Sequence, residues 1–588
     1  MKPLYLTVFF LFAICHAAMG QIPESASEQF RAFWVDSVAG HDGLKTAAQV
    51  DQLVADAKRS NVNALIAQVW RRGGALFLKT NEPRYEDSGL APGFDALQYL
   101  IDKAHAQNIE VHAWLNALAV WGGSTAPADP RHVYNLHGPG KSGADYWLSR
   151  SDTGAESGAD GIFLDPGNPA AADYVARLYI DLARNYDVDG IHFDFIRYDG
   201  QEWGYNPTSI DRFKFLNKRT SVPARNDSQW MEWRREQVTA IVRRVYLSVG
   251  AIKPKVKVSA ATIAFGDGPV AEGDWLKTSA YSSVFQDWRA WTQDGLLDFP
   301  VVMNYDHETG AIPDQKPYFD HWIEWDKNHR YNRQIVIGQG AFENSIEDSI
   351  AQTRRALAPS STGNFADGIA FFSYFTTNGS SHPNSEFYSA LSTPSPNDPN
   401  PVFASAASTP QMKWKSEPAR GLLFGRITYP NGEPVDGAKV FLASPLACPN
   451  CDPKPVQTDG NGYYGWAELL TVIYSLSVQV DGKTVKSGIQ LRPPAGVVTE
   501  FNMVLDELPA PVVTAASYSK KVLAVLGKFF GAGAQVEVNG KLLDQEPAFD
   551  NVASKLSVRG KRKKLGLIDE TNKVVVIMGG RRSEPFVF

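Results

Sequence analysis

Residues 189–198 read Asp189-Gly-Ile-His-Phe-Asp-Phe-Ile-Arg-Tyr198. Within this stretch Gly190–Phe195 is a predicted strand, because apolar residues alternate with polar ones. A carboxylate on a buried strand is costly unless it is paired, so Asp194 needs a partner. Arg197 and Tyr198 follow at the distance where a strand reaches the edge of its sheet. We interpret Asp194 as a site carboxylate, and the alternative is an interior carboxylate held by arginine or backbone.

Seven further apolar runs resemble strands and alternate with longer amphipathic stretches that resemble helices. The predicted strands are Phe30–Asp36, Ala64–Val69, Glu110–Leu115, Lys257–Thr262, Phe299–Tyr305, Gln334–Gly338 and Gly368–Tyr374. The predicted helices include Thr46–Ser60, Phe94–Gln107, Pro169–Tyr186 and Gln229–Ile252. This alternation within residues 28–392 favours an α/β fold closed into a (β/α)8 TIM-type barrel, and an open doubly wound sheet is the alternative. No GxGxxG or phosphate-binding lysine motif follows a strand, which argues against a nucleotide-binding sheet.

The residues after the barrel have a different composition. Residues 393–417 are rich in Pro, Ser and Asn and are predicted to be a linker. Residues 418–507 and 508–588 hold short β-rich runs separated by Asn-Gly and Asp-Gly turns. We therefore expect two small all-β sandwich modules. A basic run at Arg559–Lys564 indicates a solvated turn, with attachment to an acidic glycan or a cell surface as the alternative.

The amino terminus has the pattern of a secretory signal peptide over residues 1–20. Lys2 precedes an apolar run from Leu4 to Ile14, and small residues at Ala18 and Gly20 suit cleavage. The run is too short for a stable membrane span. We expect an exported protein (periplasmic, cell-surface or secreted), and the alternatives are a retained anchor or a lipoprotein.

Composition excludes several classes of protein. The 588 residues include 58 Lys+Arg and 64 Asp+Glu, a net charge of −6, which disfavours nucleic-acid binding. With 44% hydrophobic and 21% charged residues, the chain has enough apolar side chains for real cores. After export only Cys448 and Cys451 would remain, and we predict a local disulfide. Free thiols, or a redox or metal site, are the alternatives.

Active sites of such barrels form at the carboxyl ends of the strands. The residues predicted there are rich in carboxylates, amides, aromatics and arginine, which suits hydroxyl-rich ligands such as sugars. We predict that substrate is bound by Asp36, Gln68, Arg71, Trp114, Asn116, Arg197, Tyr198, Trp203, Asn304, Tyr305, Gln339 and Tyr374. Trp114 and Trp203 are the candidates for stacking on sugar rings, and most other tryptophans are expected in the core. No pattern indicates a metal or an organic cofactor.

If the sugars bound there are hydrolysed, the reaction would usually need two carboxyl groups, one as acid and one as nucleophile or base. Asp194 is our first candidate. Spacing leaves Asp306 and Glu202 open as the second, and Asp36 and Glu343 are further alternatives. Stereochemical outcome, glycan and linkage are not decided by the sequence.

Several segments together resemble the family 10-like glycosyl hydrolases of bacteria, the GHL10 type. The segments are Phe30–Asp36, Asn63–Gly73, Val111–Asn116, Leu164–Pro169, Asp189–Tyr198, Ser283–Trp288 and Met303–Tyr305. The resemblance spans residues 28–390 and implies a barrel hydrolase acting on O-glycosyl bonds. Some relatives look like hydrolases of bacterial cell-wall glycan, so a polysaccharide or peptidoglycan glycan is the implied substrate. A non-catalytic carbohydrate-binding surface protein, or another barrel activity on sugars, is the alternative.

The two β modules carry resemblances of their own. Gly421–Thr428, Asn431–Ala438 and Thr458–Tyr464 resemble a carboxypeptidase regulatory-like domain. Leu523–Gly527, with the later runs Gln535–Gly540 and Asn572–Val576, resembles an immunoglobulin-like IPT/TIG domain. Neither resemblance implies a catalytic residue.

Overall fold

A computed structural model describes residues 28–445, 452–550 and 554–588. The predicted signal peptide and the Cys448–Cys451 pair lie outside these residues. The chain forms two compact units. The first consists of the chain up to Gly425 together with Asp436–Ser477 and Gly488–Phe501, and the second of Arg426–Val435, Val478–Ser487 and Asn502–Phe588. In the described part, no helix is both long and apolar enough to cross a membrane.

Eight parallel strands close into a barrel within the first unit. They are β1 (Phe30–Val35), β2 (Ala64–Arg71), β3 (Glu110–Asn116), β4 (Gly190–Asp194), β5 (Lys257–Ile263), β6 (Phe299–Asn304), β7 (Val336–Gly340) and β8 (Gly368–Phe372). Each strand pairs with the next, and β1 also pairs with β8, which closes the sheet. The predicted TIM-type barrel is thereby confirmed.

Helices follow the strands and cover the barrel. The longer ones are α1 (Ala47–Arg59), α2 (Ala96–His105), α3 (Pro169–Asn185), α4 (Pro207–Leu216), α5 (Ser228–Ile252), α6 (Trp288–Gln293), α7 (Lys316–Asn328), α8 (Ile346–Leu357) and α9 (Asn384–Ser392). Shorter helical turns are Val133–His137, Gly143–Asp145, Glu272–Lys277, Ser279–Ser282, Ala341–Glu343 and Lys413–Ser416. Side chains such as Thr46, Asn168 and Asp227 accept hydrogen bonds from the first backbone N–H groups of α1, α3 and α5. These caps explain where the helices begin.

Large side chains from alternate strand positions fill the barrel interior. Trp34, Trp114 and Phe299 belong to this interior cluster. His192 on β4 lies among them, with Nε2 accepting from Trp34 Nε1 at 3.1 Å and Nδ1 at 2.9 Å from Ser259 Oγ. Burial and the nearby His112 lower the pKa of His192 well below its usual range. His192 is therefore a neutral core histidine beneath the strand ends.

Residues 393–417, which the composition suggests to be a linker, cross the amino-terminal end of the barrel as an ordered strap. Phe403 is fully buried, and Arg31 Nη1 donates to Ser405 O at 2.7 Å. Trp414 Nε1 donates to Asp298 Oδ1, also at 2.7 Å, just before β6. The strap needs no regular secondary structure because its backbone carbonyls accept hydrogen bonds from the barrel.

The carboxyl-terminal residues form β-sheet modules, as predicted. Their first strands are Gly421–Thr428, Lys439–Ala443, Val456–Gln457, Tyr463–Leu469, Tyr474–Val480, Lys483–Leu491, Val498–Glu500 and Met503–Val504. The later strands are Val512–Ser519, Val522–Lys528, Gln535–Val538, Lys541–Leu542, Ala548–Asp550, Lys555–Arg559, Lys573–Met578, Arg581–Arg582 and Phe586–Val587. The later strands form two sheets around a core that includes Leu523, Val536 and Leu556. The basic residues after Arg559 lie in an exposed turn.

Candidate active site

Four polar side chains from consecutive strands form a row at the carboxyl end of the barrel. Asp36 directly follows β1, Gln68 lies on β2, and Asn116 and Asp194 end β3 and β4. Gln68 Oε1 accepts from the N and Oγ of Ser37 at 3.0 Å, and Gln68 Nε2 donates to Asn116 Oδ1 at 2.9 Å. Asn116 and Asp194 are register partners on adjacent strands. The structure thus brings these four predicted residues together.

Asp194 is held by two hydrogen bonds at the mouth of the barrel. Trp114 Nε1 donates to its Oδ2 at 2.9 Å, and the backbone N of Phe195 donates to its Oδ1 at 2.8 Å. Asp194 is only 9% exposed, and burial raises its pKa to about 6 despite these bonds. Trp114 is itself buried, so it positions the carboxylate and does not offer a free face for stacking.

Aromatic residues at the ends of β1, β6 and β8 pack together near Asp194. The ring of Tyr305 stacks on Phe372 with centroids 5.6 Å apart and meets Trp34 edge-on at 6.2 Å. Burial raises the pKa of Tyr305 well above its usual range, and the charge of Asp194 adds to this shift. Tyr305 is therefore close enough to Asp194 to feel its charge, and it belongs to the site.

Asp306 provides a second buried carboxyl group after β6. It is 6% exposed, and its Oδ2 has no hydrogen-bond partner among the described residues. Burial, with a contribution from the charge of Asp267, raises the pKa of Asp306 to about 7. Its backbone carbonyl accepts from Asn344 Nδ2 at 3.0 Å and from Gln352 Nε2 at 2.9 Å. A carboxyl group in this setting keeps its proton near neutral pH, as a general acid requires.

The other carboxylates proposed as partners of Asp194 have different surroundings. Glu202 is half-buried in the loop after β4. Glu343 pairs with His307 Nε2 at 3.0 Å. Asp36 Oδ1 lies 2.6 Å from His41 Nδ1 and accepts from the backbone N of Val38. Of these candidates Asp306 best meets the requirements of an acid.

Three residues predicted to bind substrate face the helices instead of the mouth. Asn304 donates to Asp326 Oδ2 on α7 at 3.3 Å, Gln339 donates to Ser349 O on α8 at 2.9 Å, and Tyr374 OH donates to Asp56 Oδ2 on α1 at 2.9 Å. Side chains alternate across a strand, so a residue next to an inward-facing one points outward. The structure assigns these three residues to helix–sheet packing.

Two further predicted contacts are buried in the loop after β4. Tyr198 packs edge-on against Phe285 with centroids 5.7 Å apart. Trp203, the predicted stacking residue, is only 6% exposed. Arg234 Nη1 on α5 donates to the carbonyls of Gln201 and Trp203, both at 2.6 Å. Arg234 fixes this loop, and the ring of Trp203 is buried in it, so the structure does not give Trp203 an open face for stacking.

An electrostatic cluster beside Asp194 includes residues that sequence reasoning missed. Arg197 Nη2 donates to Asp160 Oδ2 at 2.7 Å, and Arg197 Nη1 lies 3.9 Å from Asp199 Oδ1. Burial and the charge of Asp160 raise the pKa of Asp199 to about 6. Asp199 directly follows the stretch 189–198, so the sequence could have indicated it as part of the same loop. Asp160 comes from a distant loop, and no strand-end rule points to it.

A cavity of about 330 Å³ opens at the end of β2. Arg71, which the sequence predicts to bind substrate, lines the cavity together with Arg72. The guanidinium carbon of Arg72 lies 5.5 Å from the ring centroid of Phe195. Half-buried Trp121 forms another part of its wall. The cavity therefore borders the residues around Asp194.

Comparisons with known proteins match the barrel part of the chain. The family model described as glycosyl hydrolase-like 10 matches residues 29–355. Glycosyl hydrolase YngK of Bacillus subtilis (strain 168) is 24% identical over 344 residues, which cover 54% of this chain and 62% of that protein. Glycosyl hydrolase DigH of Escherichia coli (strain K12) is 25% identical over 314 residues, which cover 48% and 66%. The match thus spans less than two thirds of either relative's length.

Among solved structures, the chain is similar to the PgaB (BpsB) glycoside hydrolase domain from Bordetella bronchiseptica. The TM-score is 0.44 at 16% identity, with 63% of this chain and 100% of that chain covered. The catalytic domain of β-amylase from Paenibacillus polymyxa has a TM-score of 0.42 at 11% identity, with 64% and 96% covered.

Proposed function

The chain belongs to the glycosyl hydrolase-like 10 family, and from this premise we propose that it is an exported glycoside hydrolase. It cleaves O-glycosidic bonds in a polysaccharide or peptidoglycan glycan. The observation that carries the proposal is the pair of buried carboxyl groups, Asp194 and Asp306, at the carboxyl ends of β4 and β6. Burial raises the pKa of Asp194 to about 6 and that of Asp306 to about 7. Two N–H donors on Asp194 favour its ionised form, whereas Asp306 Oδ2 has no hydrogen-bond partner among the described residues, so we assign Asp194 as the base and Asp306 as the acid.

The two carboxyl groups take different roles in the proposed reaction. Asp194, with the lower pKa, acts ionised as nucleophile or as base toward water. Asp306, with the higher pKa, donates its proton to the leaving glycosidic oxygen. The amides of Gln68 and Asn116 hydrogen-bond sugar hydroxyls beside Asp194, and Tyr305 contributes an aromatic surface.

Export is proposed on a separate ground. Residues 1–20 have the charge and the apolar run of a signal peptide. The basic turn at Arg559–Lys564 suits attachment of the carboxyl-terminal modules to an acidic glycan or a cell surface. Both features fit a substrate outside the cytoplasm.

A glycan screen tests the proposed activity. We incubate the protein from residue 21 onward with defined polysaccharides and with peptidoglycan glycan stripped of its peptides, and read product masses. We expect oligosaccharides, each cleavage adding one water, and none from the Asp194→Asn variant. If the wild type and the Asp194→Asn variant both bind a glycan but neither releases a product from it, the result would contradict the hydrolase assignment and favour a binding protein.

The activity should have a bell-shaped dependence on pH. Asp194 works ionised, so kcat/KM falls as the pH drops below its pKa of about 6. Asp306 works protonated, so kcat/KM falls as the pH rises above its pKa of about 7. We expect the maximum between these values, measured with initial rates at constant ionic strength. A profile that keeps rising on the alkaline side would refute the role of Asp306.

A further inference from the structure

The cavity at the end of β2 is built around two adjacent arginines. Arg71 and Arg72 line one side, and Tyr85 and Trp121 supply aromatic walls. With a volume of about 330 Å³ the cavity is large enough for one sugar ring. It is therefore a separate compartment beside the residues described above, at the same end of the barrel.

The two arginines bring positive charge into the cavity without a close ion-pair partner among the described residues, although Glu86 also lines the cavity and Asp160, Asp194 and Asp199 attract Arg72 from a longer distance. Neither Arg71 nor Arg72 forms an ion pair within the described part of the chain, whereas Arg197 nearby is paired with Asp160. Arg71 Nε is buried without a hydrogen-bond partner among the described residues. Arg72 Nη1 donates to a backbone carbonyl, that of Asp160, and to no carboxylate of the described residues. A guanidinium fork in this state matches a carboxylate, which accepts two parallel hydrogen bonds.

The backbone around the arginines is shaped to hold them in place. His132 Nδ1 accepts from the backbone N of Tyr134, so its Nε2 carries the proton and donates to Arg72 O at 2.8 Å. Burial lowers the pKa of His132, which keeps the ring neutral. Gly73 has φ +81°, and a Cβ there would lie 2.2 Å from His132 Nε2. Glycine is thus needed at position 73 for this packing.

The cavity also lies next to the proposed reaction centre. Burial and Arg71 lower the pKa of Arg72, and the charges of Asp160, Asp194 and Asp199 oppose this shift. The guanidinium of Arg72 contacts the ring of Phe195, the residue after Asp194. A sugar in the cavity would therefore be close to the unit whose bond is cleaved.

We propose that the Arg71–Arg72 cavity is a subsite for a sugar unit that carries a carboxylate. This inference rests on the proposed function, since it names the class of glycan that the site selects. The carboxylate could come from a uronic acid or from a carboxyalkyl ether on an amino sugar. Both offer two oxygen acceptors to the N–H groups of the arginine pair.

Binding measured without turnover tests the subsite. Isothermal titration uses the Asp194→Asn protein with glucuronic acid, N-acetylmuramic acid and, as the neutral match, N-acetylglucosamine. A charge-assisted pair is worth about 1.5–3 kcal/mol, so we expect one or both acids to bind roughly 10- to 100-fold tighter than the neutral sugar. The acid that binds more tightly than N-acetylglucosamine identifies the source of the carboxylate. Acids that bind no tighter than the neutral sugar overturn the proposal.

Variants separate the subsite from general effects. R71Q/R72Q should remove the preference for acids while changing neutral-sugar affinity by less than about twofold. R71K/R72K should keep part of the preference, because the charge remains but the planar fork is lost. Arg177→Gln, on the outer surface of α3, is the matched control. If R71Q/R72Q still prefers acidic over neutral sugars, the subsite proposal is wrong. If the wild-type protein shows this preference but hydrolyses no glycan, only the proposed function is wrong.

Discussion

Replacing Asp194 with Asn is expected to lower kcat/KM for glycan hydrolysis by about 10²- to 10⁴-fold. The change removes the negative charge but keeps the shape of the side chain. An amide oxygen can still accept a hydrogen bond from Trp114 Nε1 or from the backbone N of Phe195. The loss is therefore chemical, and the measurement is the initial rate on whichever glycan the screen identifies.

Stability provides an independent readout for the same variant. The pKa of Asp194 is raised in the folded state to about 6, so its contribution to stability is present at acid pH and is lost as the pH rises through about 6. At neutral pH the folded protein holds a buried charge that Asn does not have. The Asn NH2 group cannot accept the second of the two N–H hydrogen bonds, and this loss opposes the gain from removing the charge, so Asp194→Asn should unfold in urea at a concentration close to that of the wild type at pH 7. The exposed Asp181→Asn on α3 is the control, with both properties unchanged. Full activity in Asp194→Asn would rule out its catalytic role.

Replacing Asp306 with Asn is expected to cost a similar factor, about 10²- to 10⁴-fold, on a natural glycan. The reason differs, because this variant loses the proton donor for the leaving oxygen. A substrate whose leaving group needs no proton, such as a dinitrophenyl glycoside, should be cleaved with a much smaller loss. The alkaline limb of the pH profile, which reflects the pKa of about 7, should also disappear.

Glu202→Gln is the discriminating comparison for this second assignment. Glu202 lies half-buried in the loop after β4, and we expect its replacement to change kcat/KM by less than about threefold. A large loss in Glu202→Gln, restored by the activated substrate, would transfer the role of acid from Asp306 to Glu202.

The positions of the strands could be predicted from the sequence because apolar runs and helical periodicity are local properties. The sequence does not predict whether some strand side chains point into the barrel or toward the helices. In β6, Phe299, Val301 and Met303 alternate with Pro300, Val302 and Asn304. Both sets are largely apolar, so the pattern does not reveal which one faces the interior. Asp194, Gln68 and Asn116 could be placed at strand ends from the sequence because polar residues stand out on buried strands.

The remaining differences depend on contacts between segments distant in sequence. Trp203 was expected to be open to ligand, but Arg234 on α5 holds its loop against the core. Asp160 reaches Arg197 from a loop that no local pattern connects with β4. The strap, rich in Pro, Ser and Asn, has the composition of a free connector, yet its carbonyls bind the barrel at residues such as Arg31. These features follow from tertiary packing, which overrides local preference.

The strap and the candidate catalytic residues lie at opposite ends of the barrel. Phe403 and Trp414 secure the amino-terminal end of the barrel, whereas Asp194 and Asp306 lie at the carboxyl ends of its strands. In such barrels the amino-terminal face serves stability and the opposite face serves catalysis. We therefore expect substitutions in residues 393–417 to change thermal stability more than they change the proposed activity. Residues 393–417, which have the composition of a linker, thus contribute to the stability of the barrel.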